Sequence, residues 1–374
     1  MKKHQATAFL LLLLAALVCF FAGREFLTMH EEEAVYPSPH LTIKKRLSDY
    51  FPGLKNSPGD SSVYIFEGQK MGGTLLILGG THPNEPAGFI TAVLLVENLE
   101  VTQGKVIIVP RANNSGFMHS DPQEGNPQRY SLSTPGGPRW FRYGSRLTNP
   151  IHQWPDSVLY VNPAGQKLSG TESRNLNRSY PGRKHGKLTE KIAYAIMQVI
   201  DNEKADLAVD LHEAAPEYPV INAIVFHENS AELAAVTLMT LQMEGVDIRL
   251  EASPPNLRGL SHREWGDFAK TRAVLLETAN TSHGRLKGRP SATLIINGKD
   301  KNYMKAAQLG LLFVPFDEDG ISLKQRVSRH LASLRALVSG LHELHPDLCI
   351  QLDNLPNPIE VQKVGIGPYL TPSK

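Results

Sequence analysis

The sequence predicts an α/β domain built on a mixed, mostly parallel central sheet flanked by helices. Three observations lead there. Short apolar runs suited to buried strands alternate with longer stretches in which apolar residues recur at helical spacing. Polar motifs fall at or near the ends of those runs, and open α/β sheets gather ligands at the carboxyl ends of their strands. A chain of 374 residues also suffices for one large core with extensions.

The elements follow in order. "TLLILGG" (74–80) reads as a short buried strand and "PAGFITAVLLVENL" (86–99) as the helix after it. "KVIIVPRAN" (105–113) is a second strand. Residues 114–187 form a long irregular segment rich in Gly, Pro, Ser, Asn and Arg, of the kind that carries function in compact domains. "LTEKIAYAIMQVIDN" (188–202) is amphipathic, with Thr189 available to cap its start. "ADLAVDLHE" (205–213) and "INAIVFH" (221–227) are strands, a helix is expected near 230–244, and "RAVLLETAN" (272–280) is another buried strand. The long closing helix is 321–344.

The N-terminus differs from the rest. Lys2 and Lys3 precede an apolar stretch from Ala6 to Gly23, between a signal-peptide core and a short membrane span in length. Positive charge ahead of it predicts a cytoplasmic N-terminus and an exported remainder. Phe20, two residues before Ala22, spoils a small-x-small cleavage site. An uncleaved anchor is therefore the first reading, and a secreted protein released by cleavage the second. The division expected is 1–23 anchor or signal peptide, 24–59 linker, 60–345 catalytic domain and 346–374 tail.

Composition excludes several classes. Lys plus Arg total 39 against 37 Asp plus Glu, with no dense basic block, so a nucleic-acid partner is not expected. The two cysteines, Cys19 and Cys349, provide neither a disulfide framework nor a Cys-based zinc ribbon.

Four polar signatures remain: "GGTHPNE", "SRNLNRSYPG", "DLHE" and "LLETAN". The first offers His82 and Glu85, and the third His212 after the run "LAVDL". Two imidazoles and a carboxylate form a catalytic zinc set that leaves one position for water. Singly, each has an ordinary explanation: Glu85 as a helix-start carboxylate, His212 as a strand-end histidine, and Asp210 or Glu213 as ligand or supporting neighbour. Their joint occurrence at successive strand ends favours one metal ion. Glu277 follows four apolar residues, so its carboxylate needs a pocket or a partner. It reads as a general base, or else as a surface residue in a turn. Asn177 and Arg178 suit the grip of a substrate carboxylate, which a guanidinium binds bidentately.

These motifs resemble the succinylglutamate desuccinylase/aspartoacylase family within the zinc carboxypeptidase superfamily. "GGTHPNEPAG" is similar to that family's G-G-x-H-x-N-E, "NLNRSYPG" to D-L-N-R-x-F-P-G, "VDLHEA" to D-L-H and "LLETAN" to its late L-E. The resemblance spans roughly residues 60–345. It implies one Zn²⁺ held by His82, Glu85 and His212, a substrate carboxylate on Asn177 and Arg178, and Glu277 as base. Two departures stand out. Asn175 occupies the place of the family's Asp, expected to orient a zinc histidine. The aspartoacylase-type arginine before the Asn-Arg pair has no clear equivalent; Arg174 is the nearest candidate, with Arg142 and Arg146 farther away. The tail leaves little room for the β-rich C-terminal domain of aspartoacylase. The function expected is hydrolysis of an amide bond in an N-acyl amino acid or related carboxylate-bearing small molecule. The alternative is a carboxypeptidase or amidase acting on short peptides, including cell-wall peptides.

Overall fold

The computed structural model describes residues 3–121 and 123–372; Lys2, half of the basic pair before the apolar run, lies outside them. Helix α1 (Lys3–Thr28) has no buried residue. Its 26 residues span about 39 Å at 1.5 Å each, against roughly 30 Å for a bilayer's hydrocarbon core. Among the described residues it is the one helix long and apolar enough to cross a membrane, a property that signal sequences share.

Beyond α1 come β1 (Ile43–Arg46), the short helix α2 (Leu47–Tyr50), β2 (Ser62–Glu67), β3 (Lys70–Leu78), α3 (Pro86–Asn98) and β4 (Glu100–Val109). Two hairpins follow, β5 with β6 (Arg129–Thr134, Gly137–Arg142) and β7 with β8 (Leu159–Val161, Lys167–Ser169). The chain continues through α4 (Leu188–Glu203), β9 (Leu207–Ala214), β10 (Ala223–Phe226), α5 (Ala231–Met243), β11 (Arg249–Ala252), α6 (Ser261–Phe268) and β12 (Arg272–Ala279). Then come α7 (Ala292–Asn297), α8 (Lys301–Gln308), α9 (Leu323–Leu344), β13 (Gln351–Asp353) and α10 (Pro358–Val364).

Nine strands make one sheet in the order β1-β2-β4-β3-β9-β12-β10-β11, with β13 added to β4. The central strands β4, β3, β9 and β12 are parallel. Antiparallel pairings join β2 to β4 and β10 to β12. The mixed sheet is thus parallel where both faces are buried, as parallel strands require. Helices α3 and α9 pack on one face against Val209, Leu211, Val274 and Leu276. Helix α4 and Trp265 of α6 cover the other, against Leu76, Leu78, Ala208 and Ala273. Strand order reverses at β3: β4 lies on one side and β9 on the other. That reversal opens a crevice at the carboxyl ends of β3 and β9.

Several boundaries depart from the sequence reading. The segment expected as a linker supplies edge strand β1, paired with β2, and β2 itself went unread before the strand at 74–80. The expected tail adds β13 to β4 and packs Val361 of α10 into the core. Both are short pieces, and the partner of β13 lies far away in sequence, so no local periodicity marks them. Helix α4 starts after Lys187, and Glu190 reaches back to the Lys187 amide. Thr189 is not the cap: its hydroxyl and amide bond the Gln153 side chain.

One close approach fixes the geometry at the crevice. A Cβ at Gly88 would run into the Leu211 carbonyl oxygen, and one at Gly79 would stand 2.6 Å from the Gly88 carbonyl oxygen. The end of β3, the first turn of α3 and β9 therefore meet through glycine backbone. Gly88→Ala is expected to destabilise the protein by about 1–3 kcal/mol, the usual cost of overpacking, and to weaken metal retention by moving α3 away from β9. Calorimetry and metal analysis of the purified variant check this; an unchanged melting temperature contradicts the close-approach account.

Candidate metal centre

After β3 the chain turns through Gly79 and Gly80, the latter at φ +64°, a left-handed conformation that glycine adopts without strain. The Glu85 amide donates to the His82 carbonyl at 2.9 Å, and Glu85 stands immediately before α3. His82 and Glu85 are thereby held on one short turn. Strand β9 arrives in parallel beside β3, with Leu78 opposite Asp210. On its other side β9 pairs with β12, placing His212 opposite Glu277. Three neighbouring strand ends therefore carry the polar residues to one place.

Ligand atoms of His82, Glu85 and His212 lie within 4.8 Å of one another, and all three residues are buried. Glu85 sits between the imidazoles: Oε1 is 2.7 Å from His82 Nδ1 and Oε2 is 3.0 Å from His212 Nδ1. The outer nitrogens face acceptors. His82 Nε2 is 2.9 Å from Asn175 Oδ1, and His212 Nε2 is 2.8 Å from Asp210 Oδ2. Asn175 is oriented by its own Nδ2, which donates to Glu172 at 2.8 Å, so its oxygen faces the histidine. Asp210 is held in turn by the Thr81 hydroxyl at 2.7 Å. Outer-shell acceptors of this kind favour a proton on Nε2 and leave Nδ1 facing the centre, where a metal ion can take it.

Three electron-pair donors converging on one point suit a cation. Arg146 already points one there: its Nη1 is 3.0 Å from Glu85 Oε1 and 3.1 Å from His82 Nδ1. The donor set, two imidazoles and a carboxylate with aligned outer partners, fits Zn²⁺. Burial, with Arg146 beside it, pushes His82 down to about 4. Burial opposes ionisation of Glu85, yet His82 and His212 hold it well below the usual carboxylate range. For His212 burial is again the opposing influence, and Asp210 and Glu85 hold it well above an ordinary histidine. A metal ion entering this site would displace the His212 Nδ1 proton.

A cavity of about 340 Å³ opens over the cluster. Its polar half contains Arg146, Asn177, Arg178 and Glu277, and its apolar half Val225, Pro254, Leu257, Leu260 and Leu275. Asn177 is oriented by its Oδ1, which accepts from the Ser261 amide at 2.8 Å. Arg178 Nη1 donates to the Asn177 carbonyl at 2.6 Å. Burial pushes Glu277 up to about 8, with His212 drawing it down and Glu85 adding to the rise; its Oε2 is shielded and unpartnered.

Arg174, the nearest arginine in sequence, does not line the cavity. Its guanidinium is committed to Asp156 at 2.9 Å and to the Thr148 carbonyl. Arg142 is likewise engaged, with Glu33 at 2.6 Å. Arg146 is the arginine that reaches the site, from the loop after β6, because its two neighbours are bound by acidic partners on their own side. Glu213 projects from the opposite face of β9, where it is paired with Arg326 at 2.5 Å and accepts from the Ala87 amide. Asp210 and Glu213 thus take supporting places outside the ligand cluster. Sequence reasoning missed two cavity histidines, His262 and His283. His262 has both ring nitrogens unpartnered, and burial pushes it down to about 3. Neither histidine stands in a spacing that distinguishes it from a core residue.

The sheet, the crevice and the donor cluster define the class: an α/β domain with a candidate metal site at the carboxyl ends of its strands. The family model for the succinylglutamate desuccinylase/aspartoacylase catalytic domain matches residues 148–286, which include Asn177, Arg178, His212 and Glu277. No curated protein matches the sequence. Among solved structures, the succinylglutamate desuccinylase/aspartoacylase of Rhodobacter sphaeroides is 21% identical over 59% of this chain and 51% of its own, with a TM-score of 0.37. A metallo-carboxypeptidase from Burkholderia cenocepacia is 11% identical over 79% and 68%, with a TM-score of 0.45. The tripeptide-bound cell shape determinant Csd4 of Helicobacter pylori is 14% identical over 81% and 59%, with a TM-score of 0.47. The chain spans about half the length of the Rhodobacter structure.

Asn175 offers a test of the outer shell. Asn175→Leu removes the acceptor for His82 Nε2 and is expected to weaken zinc binding by about 10–100-fold. Asn175→Asp keeps an acceptor, adds a charge and is expected to tighten it. Competition titration with a fluorescent chelator measures both, and equal affinities across the three proteins contradict this role for Asn175.

Proposed function

We propose that this protein is a zinc-dependent amidohydrolase that removes the acyl group from an N-acyl amino acid or related carboxylate-bearing small molecule. The observation carrying this reading is the lining of a single cavity: the buried His82–Glu85–His212 cluster, two arginines and an unpartnered carboxylate oxygen share it. One zinc ion held by His82, Glu85 and His212 would polarise the scissile carbonyl and lower the pKa of water.

The chain's own residues do the rest. Arg178 grips the substrate carboxylate with its planar fork, and the Asn177 side-chain amide adds a donor. Arg146 donates to the scissile carbonyl oxygen as negative charge develops on it. Glu277, ionised once a cation at the centre offsets the burial that raises it, accepts a proton from the attacking water and delivers it to the leaving nitrogen. The apolar half of the cavity takes the aliphatic or aromatic part of the substrate, away from water.

That apolar wall also favours a second reading, a carboxypeptidase or amidase acting on short peptides, including cell-wall peptides. A C-terminal residue presents the same carboxylate to Arg178 and an apolar side chain to Val225, Leu260 and Leu275. The proposed location is the periplasm or cell exterior, with α1 retained as an anchor; secretion after cleavage is the alternative.

A screen of N-acyl amino acids against short peptides, D-residue peptides included, separates the two readings. On the best substrate, Glu277→Gln is expected to keep zinc and substrate affinity while turnover falls by about 10²–10⁴, the usual worth of a positioned base. Loss of zinc in this variant would make Glu277 a ligand instead. Near-normal turnover would remove it from the base role.

A further inference from the structure

The surface around the foot of α1 carries apolar side chains that a water-facing surface avoids. Two of the chain's three tryptophans, Trp140 and Trp154, are exposed, whereas Trp265 is fully buried. Ile151 is 83% exposed, Trp154 73% and Val158 100%. Single exposed apolar residues are ordinary, but Ile151, Trp154 and Val158 fall on one stretch of loop, and such runs mark interaction surfaces.

Polar contacts tie these loops to the end of α1. Arg129 of β5 pairs with Glu25 at 3.0 Å, and its guanidinium lies 4.9 Å from the Trp140 ring. Arg142 of β6 donates to the Met29 carbonyl at 3.1 Å and to Glu33. Asn114 donates to Glu32 at 2.9 Å, and the adjacent Ser115 hydroxyl is 2.8 Å from His152 Nδ1, between Ile151 and Trp154. Polar groups of both segments are therefore used inward, toward the foot of the helix, while the apolar ones are left outward.

We infer that this face of the domain, Trp140 of the β5–β6 hairpin together with Ile151 and Trp154, rests in the headgroup region of the bilayer that α1 enters. The inference rests on the proposed retention of α1. Glu25 follows the apolar run that ends at Gly23, so a spanning α1 sets Glu25 at the membrane–water boundary. Arg129 and Trp140, stacked against that position, fall at the same depth. Tryptophan is the residue that prefers this zone, its ring apolar and its N–H still hydrated. Lys187, whose Nζ donates to the Pro155 carbonyl at 2.8 Å, adds positive charge beside Trp154 and favours anionic lipid. The excursion that supplies Arg146 and Arg178 to the cavity would then also hold the domain against the membrane.

The full-length protein in phosphatidylcholine/phosphatidylglycerol vesicles provides the test. With brominated acyl chains, tryptophan emission should fall relative to unbrominated vesicles. A Trp140→Phe/Trp154→Phe variant, left with buried Trp265, should show no such loss. A Cys349→Ser variant carrying an environment-sensitive dye on Cys19 reports on α1 in the same vesicles. Bilayer burial of Cys19 with no quenching of Trp140 or Trp154 would overturn the inference, leave the anchor reading intact and assign the patch to a protein partner. A water-exposed Cys19 dye would overturn both.

Discussion

The candidate site depends on one arrangement, the Glu85 carboxylate set between two imidazoles whose outer nitrogens face acceptors. His82 faces Asn175 and His212 faces Asp210, and Asn175 and Asp210 are held by Glu172 and Thr81. Each inward donor is therefore backed by contacts at least two residues deep, which orient the imidazoles. Arg146 extends one N–H toward the centre, to Glu85 Oε1 and His82 Nδ1. A divalent cation would complete the balance.

Strand register turns this local constraint into a site. Because β3, β9 and β12 are parallel neighbours, His82, His212 and Glu277 emerge at the same edge of the sheet. Alternation along β9 then separates its acidic residues by face. Asp210 and His212 point together toward the cavity side, while Glu213 points to α9 and pairs with Arg326. Two carboxylates three residues apart thus serve different ends: one orients a histidine, and the other neutralises a buried arginine that also reaches the Ile295 carbonyl.

Much of this was legible in the sequence because the relevant residues sit at the ends of strong local patterns. "TLLILGG", "LAVDLHE" and "AVLLETAN" announce buried strands and deliver His82, His212 and Glu277 at their termini. The outer-shell place of Asn175 was legible only through the family resemblance, in which it stands where the motif has Asp. The choice among Arg174, Arg142 and Arg146 was not: it turns on Asp156 and Glu33 engaging the first two, partners distant in sequence. β1, β13 and α10 were hidden for a related reason. They are a few residues long, and their stability comes from the sheet edge or helix they join rather than from any periodicity of their own. His262 and His283 gave no signal because a lone histidine in a mixed segment reads like any other.

The central claim is that His82, Glu85 and His212 hold one divalent cation. Elemental analysis of the purified full-length protein tests it most directly, alongside His82→Ala and His212→Ala with circular dichroism to verify folding. One zinc per chain in the wild type, and strong depletion in both folded variants, is the expected result. A wild type that takes up no stoichiometric divalent metal even after zinc is added, or alanine variants that retain it in full, would contradict the account.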